Sequence, residues 1–148
     1  MDTLANLLNA GAAAVLAGVA WKAGDSWIKE KRRNIYGDTY NCLVNAAFSL
    51  KQLQFGSSPK KLNSALKSLT IFRDYYTKNA FYCSSKLYKM FHSYFVNLKE
   101  ILDHYSGFVP IEDSKLRTLE INYIEHIIHN DQNDFVSQIK KKLKIKDN

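Results

Sequence analysis

The residues of this 148-residue chain whose types and spacing come nearest to doing chemistry are His126 and His129. Three apart on one expected helix, with Glu125 and Asp131 beside them, they could turn two imidazoles to one side, the beginning of a zinc site. A third ligand would have to come from His92, His104 or a carboxylate elsewhere, and the paired Glu-x-x-His motifs of a di-iron bundle are absent. The plainer reading is that the pair flanks the apolar Ile127 and Ile128 at the edge of a bundle. No metal and no cofactor is expected.

Nucleophilic and phosphate chemistry find less. The chain has no G-x-S-x-G elbow and no Gly-rich phosphate loop. Cys42 and Cys83 occupy apolar helical positions and read as small core residues, reduced in a cytoplasmic setting. Arg73 and Arg117 lack the nearby His that a helical ribonuclease would need. The expectation is a protein without catalytic residues.

A crowd of aromatic residues from Tyr75 to Tyr105 is interleaved with Lys78, Lys86 and Lys89. Stacking of single-stranded nucleic acid is one use of such a pattern, and core packing is the plain one. Tyr75, Tyr82, Tyr88 and Phe95 fall off the expected buried stripe, which makes them candidates for an exposed partner surface.

The net charge of +7 is unevenly placed. Residues 22–33 hold Lys22, Lys29, Lys31, Arg32 and Arg33 against Asp25 and Glu30, and residues 134–148 hold five Lys against Asp134 and Asp147. Nucleic-acid-binding domains more often spread their bases over the folded face, so this distribution disfavours nucleic acid. It favours a membrane surface, because the first cluster follows the most apolar stretch of the chain.

That stretch, Leu4 to Trp21, contains no charged residue, and apart from Asn6 and Asn9 every side chain is apolar or Gly. Eighteen helical residues rise about 27 Å, against roughly 30 Å of bilayer hydrocarbon, and continuation through Lys22 to Gly24 makes up the difference. Trp21 and Trp27, with Lys22, Lys29, Lys31, Arg32 and Arg33, are placed as membrane-interface residues. The positive-inside rule then puts the N-terminus outside and the body in the cytoplasm. Three alternatives compete: a core helix of a soluble bundle, a cleaved signal peptide ending near Gly18-Val19-Ala20, and an interfacial helix. The second lacks a basic n-region and the third a charged face. Asn6, Ala10, Ala13, Ala17, Ala20 and Gly24 recur at intervals of four and three, forming a narrow stripe of small residues suited to helix association.

The remaining elements read as helices. Ile35, Tyr36, Tyr40, Leu43, Ala47, Leu50 and Leu53 keep helical spacing, with Gly37 a weak point, and Gly56-Ser57 end the run. Ser58-Pro59 caps and opens a second helix with Leu62, Leu66, Leu69, Phe72 and Tyr76 inward. No Gly or Pro interrupts residues 60–106, yet Ser84 or Ser85 can cap a separate helix. That helix would carry Leu87, Met90 or Phe91, Tyr94, Leu98, Ile101 and Tyr105, with Ala80 and Cys83 continuing the phase between the two. Gly107 and Pro110 stop it. Asp113 or Ser114 caps a fourth helix carrying Leu116, Leu119, Tyr123, Ile124, Ile127 and Ile128. After a turn at Asn130-Asp131, Phe135, Val136, Ile139 and Leu143 line a basic final helix, whose Lys140 to Lys146 end could also touch anionic lipid.

An apolar N-terminal span, then Trp27-Ile28-Lys29-Glu30-Lys31-Arg32-Arg33-Asn34-Ile35-Tyr36 entering a helix, then the Ser-capped helices and the terminal Phe135 to Leu143 segment, resembles a group of uncharacterised bacterial membrane-tethered helical-bundle proteins. The resemblance implies a single-pass inner-membrane protein, of the kind that serves defence systems or mobile elements, and transfers no site residues. The fold expected is therefore all-α: a transmembrane anchor at 1–24, then an antiparallel bundle of about four to five helices over 25–148. The function expected is recruitment or assembly at the membrane, with lipid, a second copy of the chain or another protein as partner. The runner-up is a soluble adaptor for protein or nucleic acid, with residues 4–24 as one of its core helices.

Overall fold

A computed structural model describes the backbone of residues 3–129 and the side chains of residues 26–129. Every regular element within it is helical. Helix α1, Thr3–Lys51, is 49 residues long and about 74 Å by rise. A short 3-10 turn, Gln52–Phe55, ends in Gly56 at φ 124°, a backbone geometry that only glycine adopts readily. Helix α2, Pro59–Lys78, opens as its sequence requires: Pro59 sits at the first helical position and the Ser58 hydroxyl accepts the Lys61 backbone N–H at 3.2 Å. A second 3-10 turn, Ala80–Tyr82, leads to α3, Ser85–Tyr105, which Ser84 caps by accepting the Leu87 N–H at 3.1 Å. Residues 60–106 are thus two helices. Gly107, at φ 80°, turns the chain after α3. Then α4 (Asp113–Glu120), a π-helical turn (Ile121–Glu125) and α5 (His126–His129) follow without interruption.

The neighbours are antiparallel. Ser49 bonds Ser68 at 3.0 Å and Tyr75 bonds Asp38 at 3.1 Å, so α2 climbs as α1 descends. Tyr76 meets His92 at 3.0 Å between α2 and α3. Lys115 and Glu100 join α4 to α3 at 3.1 Å. The core they enclose runs from Ile35 and Tyr36 through Leu43, Leu50, Leu69, Phe72, Phe91, Leu98 and Ile101 to Ile124 and Ile127. Among the described side chains of α1, hydrophobic burial begins at Ile35.

Several expectations need correction. Leu66 is 53% exposed, and Ala65 takes the buried position on α2. The i, i+3, i+4 pattern admits either residue, and α1 and α2 approach too closely there for Leu, as the short Ser49–Ser68 contact shows. Ala80 is exposed in the turn after α2. Helix α4 is preceded by Glu112, not capped by Asp113 or Ser114; the Ser114 hydroxyl instead donates to the Glu112 carboxylate at 3.1 Å. Helix α1 passes through Gly37 unbroken.

Among the described residues no helix is long and apolar enough to cross a membrane. The expected anchor at 1–24 lies outside the residues whose side chains are described. The turn at Asn130-Asp131 and the basic final helix also lie outside the described residues.

Candidate functional site

An open concavity lies along the π-helical turn. A π turn widens the backbone spiral by one residue, and such turns often occur at functional positions. Here Tyr94, Ile121, Asn122, Tyr123, Glu125, His126 and His129 line an open groove of about 530 Å³. The Tyr94 and Tyr123 rings meet edge to face at 5.6 Å. Burial, then the neighbouring Tyr123 and Tyr40, push the Tyr94 hydroxyl above its ordinary range.

Lys51, the last residue of α1, bonds two of the lining residues. Its ammonium is 3.2 Å from Glu125 Oε2 and 3.0 Å from His129 Nε2, and His129 Nε2 is itself 2.9 Å from the same carboxylate oxygen. Two proton arrangements satisfy this triangle. Either Nε2 accepts from Lys51, or Nε2 carries a proton and donates to Glu125. Glu125 Oε2 accepts in both. No group of three or more metal-ligating side chains occurs among the described residues. His126 and His129 both line the groove, as their spacing implies, and His129 bonds Lys51 and Glu125.

The Cys42 thiol is not activated. Both cysteines are reduced and half-buried. Burial, then the Asp38 carboxylate, push the Cys42 thiol up, away from the thiolate a nucleophile needs.

The four aromatic residues singled out from sequence prove half-buried and packed against the core. Tyr75 donates to Asp38, and Tyr82 offers its carbonyl to Tyr36. Tyr88 stacks on the His92 ring, and Phe95 lies beneath the Arg73 guanidinium at 5.8 Å. The most exposed large apolar residues are others: Phe81 at 88%, Phe108 at 78% and Phe55 in the turns, and Trp27 at 56% on α1. Their signal in sequence was position, since each turn residue lies within a few residues of a Gly, Ser or Asn break. Of the interface residues, Lys31 and Arg33 are exposed and Lys29 and Arg32 half-buried, while Trp21 and Lys22 lie outside the described side chains. Asn6, Ala10, Ala13, Ala17, Ala20 and Gly24 do so as well.

Comparison with protein families, curated proteins and solved structures finds no match for the chain.

Proposed function

We propose that this protein is a membrane-tethered helical interaction module without catalytic activity. Residues 4–24 cross the bilayer, the basic belt from Lys29 to Arg33 stays on the cytoplasmic side, and the bundle engages a protein partner there. One observation carries the reading: a single helix, α1, holds the uncharged stretch, the exposed Trp27 and the basic belt in that order, and among its described side chains burial begins at Ile35. An uncharged helical stretch followed by an exposed Trp and a basic belt is suited to a bilayer and its interface. The stripe from Asn6 to Gly24 supplies a face for a second copy or a partner membrane helix. By analogy with the bacterial group it resembles, service in a defence system or mobile element fits.

Subcellular fractionation tests the reading. The full chain is expected in the membrane fraction, resistant to carbonate extraction, and the chain lacking residues 1–24 in the supernatant. A full-length chain released by carbonate as a well-behaved monomer overturns it.

A further inference from the structure

The end of the bundle from which α1 continues toward Thr3 has its own chemical character. The Tyr36 hydroxyl donates to the Tyr82 carbonyl at 3.1 Å, which fastens the turn between α2 and α3 against α1 one helical turn beyond Arg32 and Arg33. The Arg32 charge reaches the Tyr36 hydroxyl, so belt and turn are neighbours. Within residues 26–36 and 77–88 the bases are Lys29, Lys31, Arg32, Arg33, Lys78 and Lys86, and the only acid is Glu30. Neither Lys78 nor Lys86 has an ion-pair partner among the described residues. At the tip of this turn Phe81 is 88% exposed.

The opposite end supplies the contrast. Its turn also presents an aromatic residue, Phe108, but the residues that follow are Glu112 and Asp113, with Glu100 and Asp103 on the adjoining part of α3. Charge, not exposed aromatic area, distinguishes the turn at Phe81 from the turn at Phe108.

We infer that the α2–α3 turn is a second membrane contact, in which Phe81 enters the headgroup layer of an anionic bilayer while Lys78 and Lys86 pair with lipid phosphates. The inference rests on the membrane-tether reading for which end faces the bilayer. Distances allow it. From Trp27 to Tyr36 the helix rises about 13 Å, the headgroup layer occupies about 5–8 Å of that, and ordinary helix tilt with the reach of an aromatic side chain closes the remainder. Each Lys or Arg near an anionic surface raises partitioning about fivefold. A single-span protein held at this second point has its bundle orientation fixed relative to the membrane, so that the groove at the π-helical turn is presented in one direction.

The test uses the full chain with Trp21→Phe and Trp27→Phe, reconstituted in vesicles of phosphatidylcholine alone or mixed with phosphatidylglycerol. Phe81→Trp in this background serves as the probe, and Phe108→Trp as its counterpart. Brominated lipid is expected to quench the residue-81 indole in the anionic vesicles only, to lose that effect when Lys78→Glu and Lys86→Glu are added, and to leave the residue-108 indole unquenched throughout. No quenching at 81, or equal quenching in neutral lipid, or equal quenching at 108, overturns the inference. Flotation with neutral vesicles reads the tether separately. A chain that floats with an unquenched residue 81 keeps the tether and loses the second contact. A chain that floats only with anionic vesicles, quenched at 81, keeps the contact and loses the span. Failure to float with either removes both.

Discussion

Tyr36 and Tyr82 are joined by a hydrogen bond from a side-chain hydroxyl to a backbone carbonyl across 46 positions of sequence. It lies at the first buried turn among the described side chains of α1, so it couples that helix to the turn between the next two. Tyr36→Phe keeps the ring and removes the donor. A loss of about 1 kcal/mol is expected in urea unfolding, the ordinary worth of one such bond. Faster amide exchange should be confined to residues 79–84; a uniform rise across the bundle would mean that the bond secures the whole core rather than the turn.

Ala65 and Leu66 provide a sharper test of packing. Ala65 is fully buried and Leu66 half-exposed. Ala65→Leu adds methylenes where α1 and α2 are already in close approach and is expected to destabilise by about 1–3 kcal/mol. Leu66→Ala removes a larger side chain but from a solvated position, and should stay within about 0.5 kcal/mol. Urea midpoints in the reverse order would show that Leu66 belongs to the core after all.

The same pair shows where the sequence was legible. Helix starts were readable because Ser58-Pro59 and Ser84 carry their own backbone chemistry, and the core stripe of α1 because large apolar residues repeat without a competitor; on α3 the period admitted Met90 or Phe91, and Phe91 is the buried one. On α2 two adjacent positions satisfied the period, and only the distance to α1 could choose the smaller. The candidate groove was half legible. Spacing placed His126 and His129 on one face, but Lys51 bonds His129 across 78 positions, a relationship no local pattern carries. The π-helical turn has no signature in its residues, and Phe81 drew no notice because it lies outside every periodic stripe. The residues of the proposed tether are read from composition and charge alone.

Alkaline titration probes the polar bonds between helices. Tyr75 is pushed up to about 12, first by burial and then by its bond and proximity to the Asp38 carboxylate. Tyr105 is likewise raised to about 12 by burial, then by the charge and hydrogen bond of Glu120. An unfolded tyrosine ionises near 10.0. Between that value and about 12 the folded chain therefore holds protons that the unfolded chain has lost, and stability falls as pH rises through this window while remaining full below it. Phenolate absorbance should show a late-titrating group of the nine tyrosines. Asp38→Asn should move one of them earlier, and Tyr75→Phe should flatten the decline of stability above pH 10.

The small-residue stripe can be separated from membrane insertion by a substitution that stays apolar. Ala17→Leu leaves residues 4–21 uncharged and slightly more hydrophobic, so carbonate-resistant retention should persist or strengthen. What changes is the distance of closest approach, since a branched side chain on a stripe of Ala and Gly holds a second helix away. Close approach through small residues is what favours such association. Cross-linking of the full chain in membranes should fall for Ala17→Leu and remain unchanged for Val15→Leu, two positions away on a different face. Equal cross-linking of both variants would assign any self-association to the bundle instead of the tether.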